Sequence, residues 1–117
     1  MAGESANQLE MEVQRLSTAT VVRMRGSAGM READYLRDQL ELLAESAVRT
    51  IVLDLAELEF ISSAGLGAIL SARAKARPHG GEIRLINPRP FVLRILETTR
   101  LDHLFAILPS LQDALDA

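Results

Sequence analysis

The chain has 117 residues, 48% apolar and 25% charged, with a formal net charge of −3; that suits one globular domain with its own core and excludes a disordered chain. It has no cysteine, which excludes disulfides, thiol catalysis and cysteine metal sites, and its mild acidity provides no basic footprint for nucleic acid. With three Phe, one Tyr and no Trp, the core falls to Leu, Ile, Val and Ala.

The first residues, 1–8, carry neither a basic n-region nor an apolar h-region. They are expected to form a disordered tail ahead of one domain over 9–117. No apolar run approaches the ~20 residues that span a bilayer. A cytoplasmic protein without membrane insertion, with protein partners rather than nucleic acid, is therefore expected.

Leu9, Met11 and Val13 alternate with Glu10, Glu12 and Gln14, the period of a half-buried strand. After Ser17 and Thr18 turn the chain, Thr20 to Arg25 reads as a second strand, broken by Gly26-Ser27-Ala28-Gly29. Ala33, Leu36, Leu40, Leu43 and Ala47 then recur at spacings of three and four, one stripe of a helix of about four turns. Thr50 to Leu55 is apolar except for Asp54, which suits a strand buried on both faces.

Next comes Phe60-Ile61-Ser62-Ser63-Ala64-Gly65-Leu66-Gly67, read as a loop that leads into a helix over 67–77. Pro78-His79-Gly80-Gly81 ends that helix, and Glu82 to Ile86 is a short strand. Asn87-Pro88 reads as a cap with proline at the first helical position, and Val92, Ile95 and Leu96 give that helix its stripe. Residues 104–108 read as a last strand, and Ser110 as the cap of a C-terminal helix. The order β-β-α-β-α-β-α-β-α indicates an α/β domain with a mixed sheet and helices mainly on one side.

Catalytic patterns fit poorly. Isoleucine at position 61 stands where a Gly-x-Ser-x-Gly elbow around Ser63 needs glycine. Gly65-Leu66-Gly67 begins a dinucleotide fingerprint, but Leu70 occupies the last glycine position. The only histidines, His79 and His103, lie in a turn and near a helix end, and two histidines without cysteine are a poor zinc set. Asp54 at a strand end reads as a loop-stabilising group. No metal or cofactor is expected.

The serines have two readings. In one, Ser62 or Ser63 is simply an N-cap, worth about 1 kcal/mol. In the other, a serine hydroxyl accepts a phosphoryl group, which the unpaired amides and partial positive charge of a helix N-terminus would tolerate. A docked partner would meet ~1.5–2 new negative charges, so the residue would switch binding on and off.

Val52-Leu53-Asp54-Leu55 followed by residues 60–70 resembles the STAS domain, in particular bacterial anti-sigma factor antagonists. Gly81 to Pro88 resembles the family's following strand and turn, and Leu96 to Asp102 its late helix and loop. The resemblance implies a mixed sheet of four or five strands with about four flanking helices. It implies that Ser63 matches the serine phosphorylated by a cognate anti-sigma factor kinase of the GHKL type. A PP2C-type phosphatase would reset the switch, and ATP would belong to the kinase, leaving the antagonist without enzymatic activity or cofactor. The partner surface would comprise Ser62, Ser63, Ala64, Gly65, Leu66 and Ile69, with Gly26 and Gly29 on the adjacent loop.

Two positions depart from the family pattern. Many relatives have aspartate before the acceptor, where this chain has Ser62, so Ser62 stands as the alternative acceptor. Relatives often carry Gly-x-Leu/Ile-Asp near residues 26–30, where this chain has no aspartate. That departure motivates an alternative, a non-switching STAS scaffold subunit of a signalling or lipid-transport complex.

Overall fold

A computed structural model describes residues 8–46 and 49–117. The strands are β1 (Leu9–Arg15), β2 (Thr20–Ala28), β3 (Thr50–Ile61), β4 (Glu82–Ile86) and β5 (Ala106–Leu108). The helices are α1 (Ala33–Ala44), α2 (Ser63–Ala76), α3 (Pro90–Thr98) and α4 (Leu111–Asp116). The five strands form one sheet in the order β1-β2-β3-β4-β5, with β1 antiparallel to β2 and the other neighbours parallel. This is the mixed sheet that an initial hairpin followed by strand–helix alternation predicts.

Alternation along the strands separates two apolar layers. Val22, Met24, Leu53, Leu55 and Leu85 pack against Leu36 and Leu40 of α1, Leu66, Ile69 and Ala72 of α2, and Val92 and Leu96 of α3. On the opposite face, Val21, Val52 and Ile86 meet Ala114 of α4. Three helices therefore cover one face, and the short α4 covers part of the other. Fully burying each large aliphatic side chain contributes about 1.5–3 kcal/mol, so the three-helix face holds most of the fold's stabilisation.

Several boundaries differ from those read in the sequence. β2 does not break at Gly26 but continues through Ser27 to Ala28, with register shifts against β3 at Arg23/Arg25 and Gly26/Ser27. Gly26 sits at φ 100°, and a Cβ there would lie 2.2 Å from the Gln8 carbonyl oxygen, so glycine lets β1 and β2 stay paired through the irregularity. Gln8 belongs with this hairpin, since its carbonyl accepts from the Ser27 N–H at 3.0 Å. The rest of the expected disordered tail, 1–7, lies outside the described residues, as does Ala47 of the α1 stripe.

β3 runs on to Ile61 because Leu58 and Ile61 continue its buried face while Glu57 and Glu59 point to solvent. α3 begins at Pro90 rather than Pro88. Arg89 precedes a proline, which holds it extended (φ −64°, ψ 156°) and forbids a helix started at Pro88 from passing through it. Asn87 instead adopts a left-handed turn, φ 57°. β5 is shorter than the 104–108 reading because Leu101–His103 forms a 3-10 turn whose carbonyl at Leu101 accepts from the Leu104 and Phe105 amides.

Candidate functional site

The corner between β3 and α2 is one residue wide: the strand ends at Ile61, the helix begins at Ser63, and Ser62 alone makes the turn. The loop anticipated over residues 60–67 is thus mostly strand and helix. Ser62 has extended backbone (φ −85°, ψ 170°), and its Oγ accepts from the Gly65 N–H at 3.1 Å. Its own N–H donates to the Ala28 carbonyl at 2.8 Å, and its carbonyl accepts from Leu66 N–H at 2.9 Å. These bonds make Ser62 the N-cap and tie the corner to the end of β2.

Ser63 occupies the first helical position and is exposed. Among the described residues its hydroxyl has no hydrogen-bond partner, and neither do the backbone amides of Ser63 and Ala64. The first turn of α2 contains no acidic residue, so the partial positive charge of its N-terminus is not offset within the helix. A hydroxyl in that setting is open to reaction, and an anion formed on it meets unpaired donors.

The other residues of the expected surface divide. Ala64 is half-buried, and Gly29 and Gly26 are half-buried on the adjacent β2–α1 connection and in β2. Gly65, Leu66 and Ile69 turn inward: Leu66 is 5% and Ile69 2% exposed, so their side chains build the core beneath the site rather than its outer surface. Gly65 serves close packing, since a Cβ there would lie 2.8 Å from Ile61 Cγ1 and 3.0 Å from the Ala28 carbonyl oxygen. Gly67, by contrast, faces open space.

Some neighbours escaped the sequence reading. Glu32 is buried, and its Oε1 accepts from the Gly29 N–H at 3.0 Å, steadying the segment where the aspartate is missing. The spacing Gly29-x-x-Glu32 before an apolar stripe is a legible signal of such a cap. Met30 and Phe60 are exposed beside the two loops, and Phe60 stacks on Phe91 at 6.4 Å between ring centroids. Only the assembled fold brings Phe91 to Phe60.

On the sheet face beyond α4, Arg25 pairs with Glu57 and Glu10, and Arg23 lies 3.8 Å from Asp54. The hydrogen bond from Arg25 holds the Glu57 carboxyl below its ordinary range, helped by the charges of Arg25 and then Arg89. The same two carboxylates raise Arg25. Asp54, read as a loop-stabilising group, accepts from the Ala56 N–H at 3.0 Å within a strand that continues past it.

Among the described residues no cluster of His, Asp or Glu could hold a metal ion, and no helix is long and apolar enough to cross a membrane.

The fold is matched in known proteins. A family model described as "Mlab, STAS domain" matches residues 11–110. An anti-sigma F factor antagonist from Paenibacillus polymyxa is 32% identical over 110 residues, covering 93% of this chain and 92% of that protein. The crystal structure of an anti-sigma factor antagonist from Mycobacterium paratuberculosis superposes with TM-score 0.83 at 26% identity, covering 92% of each chain. An anti-sigma-factor antagonist (STAS) domain protein from Planctomyces limnophilus shares the fold, with TM-score 0.80 at 19% identity over 90% of this chain and 94% of that one. The chain belongs to the STAS domain family.

Proposed function

We propose that this protein is an anti-sigma factor antagonist whose binding to a cognate GHKL-type anti-sigma factor kinase is switched off by phosphorylation of Ser63. The observation that carries this reading is the division of labour between the two serines. Ser62 is held as the helix cap, whereas Ser63 presents an exposed hydroxyl without a partner at an uncompensated helix N-terminus. The antagonists among its relatives support the class of partner.

The chemistry belongs to the partners: the kinase supplies ATP and the phosphoryl group, and a PP2C-type phosphatase removes it. This chain contributes the acceptor and the surface around it, flanked by exposed Met30 and Phe60. The phosphate would be tolerated by the fold because α2 accepts negative charge at its start. A partner seated on the same surface would instead face repulsion and desolvation.

The non-switching scaffold is the second reading, motivated by the missing aspartate near Gly29. Binding of the cognate anti-sigma factor to the wild type and to Ser63→Asp separates the two. The switch predicts a loss of affinity of about tenfold or more, equivalent to about 1.4 kcal/mol. Unchanged affinity would leave the scaffold reading standing instead.

A further inference from the structure

Helices α1 and α2 lie side by side and parallel, in a register set by two contacts. Ser71 Oγ donates to Glu41 Oε2, and Lys75 Nζ lies 3.3 Å from Glu45 Oε2. The two pairs are one turn apart on both helices. Carried one turn back, the same register sets Arg37 against Gly67, and a further turn sets Ala33 against Ser63. α2 accordingly touches the 3-10 turn Met30–Glu32 that precedes α1. Ser63, Gly67, Ser71 and Lys75 thus form the stripe of α2 that faces α1. Gly67 has nothing within 4 Å of where a Cβ would stand, which leaves a notch between Arg37 and Ser63.

Arg37 differs from the other arginines. Its Nε is the one buried side-chain nitrogen or oxygen without a hydrogen-bond partner among the described residues. Buried donors are ordinarily satisfied, so this one calls for an acceptor. On the same edge of the guanidinium, Nη2 donates to Asp34 Oδ1 at 2.5 Å. That edge fits two oxygens of one carboxylate or phosphate, and here it holds one. The bond to Asp34, three residues back, also fixes where the head points: towards the N-terminal end of α1, the end beside Ser63. The levels of Arg37 and Ser63 are one turn apart, about 5.4 Å. Asp34 is 88% exposed, so its hold on Arg37 is weak.

We propose that Arg37 is the receptor for the phosphate on Ser63, an inference that rests on Ser63 being the acceptor. On phosphorylation the guanidinium exchanges the Asp34 carboxylate for two phosphate oxygens, donating from Nε and Nη2 across the notch at Gly67. The exchange favours the phosphate, which carries ~1.5–2 negative charges against one and satisfies the idle Nε. The other charged groups on the 3-10 turn and the start of α1 are Arg31, Glu32 and Asp34, and Glu32 is already committed to the Gly29 N–H. The first turn of α2 adds no acid. The phosphate would therefore clamp the starts of α1 and α2 together on the surface that a partner covers.

The full chain carrying phosphoserine at position 63, installed during synthesis and so without any kinase, tests this by NMR. A negative result then strikes Arg37 and leaves the choice of acceptor to the kinase reaction. In the otherwise unaltered chain, the Arg37 Nε–H resonance should shift and exchange more slowly with water once the phosphate is present. In 31P titrations, Arg37→Gln should raise the proton affinity of the phosphate about threefold or more. Arg37→Lys, which keeps the charge and loses the fork, should restore only part of the difference, and Arg31→Gln should have a smaller effect. Asp34→Asn, which removes the competing carboxylate, should lower the proton affinity. The Nε–H readout needs no substitution, so it decides the matter even if a variant fails to fold. The proposal is overturned by an Arg37 Nε–H resonance that the phosphate does not move, by equal proton affinity in Arg37→Gln, or by an equally large change in Arg31→Gln.

Discussion

Helices α2 and α4 both begin with a serine cap, and the difference between them lies in the next few residues. In α4, Ser110 accepts from the Asp113 N–H at 3.1 Å, Leu111 follows it, and Asp113 places an acid in the first turn. In α2, Ser62 makes the equivalent bond to Gly65, a second serine follows it, and the first turn has no acid. Capping therefore accounts for one serine at each helix and leaves Ser63 unexplained by stability. A helix start with spare donors, uncompensated charge and an exposed hydroxyl is what a reversible phosphate needs.

The largest effect expected around this corner comes from its packing. Gly65→Ala should destabilise by about 1–3 kcal/mol in chemical denaturation, because the new methyl overpacks against Ile61 and the Ala28 carbonyl. Gly67→Ala, two residues on and facing open space, should be neutral or stabilising by up to ~1 kcal/mol. Similar losses at both glycines would mean that α2 does not sit against β2 and β3 as described.

The two caps come next. Ser62→Ala and Ser110→Ala should each cost about 1 kcal/mol, whereas Ser63→Ala should stay within about 0.5 kcal/mol. Equal losses at Ser62 and Ser63 would erase the distinction between cap and spare hydroxyl. A smaller effect adds the charge that α2 lacks: Ser63→Asp should stabilise the isolated protein by about 0.3–1 kcal/mol at low ionic strength, fading with salt. Destabilisation by that substitution would contradict the claim that the fold tolerates a phosphate there.

The smallest effect lies away from both helix starts. The Glu57 carboxyl is held below its ordinary range by Arg25, so its contribution is present above the usual carboxylate pKa and is lost as pH falls through the lowered value. Glu57→Gln should therefore lower stability slightly at neutral pH, leave it unchanged at strongly acid pH, and so flatten the acid side of the profile. An altered slope above neutrality would show that another group controls it.

The alternation of Leu9, Met11 and Val13, the stripe of Leu36, Leu40 and Leu43, and the Ser110 cap were legible because each signal is local and repeats with the period of its element. The course of β2 past Gly26 was not, because the glycine that reads as a breaker here accommodates a close backbone approach. Glu57 and Glu59 hid the second half of β3, since charges on the solvent side of a strand look like the end of an apolar run. At the site, the two serines were visible but their roles were not separable. Which hydroxyl caps the helix depends on where β3 stops, and that is decided by Leu58 and Ile61 packing into the core. The stacking of Phe60 on Phe91 joins distant segments and leaves no periodic trace.

The most direct measurement is site mapping after incubation with the cognate kinase and ATP, on the wild type, Ser62→Ala and Ser63→Ala. The account predicts phosphate on Ser63 in the wild type, phosphate still on Ser63 in Ser62→Ala, and none in Ser63→Ala. Full incorporation into Ser63→Ala, with the phosphate mapped to Ser62, would contradict it.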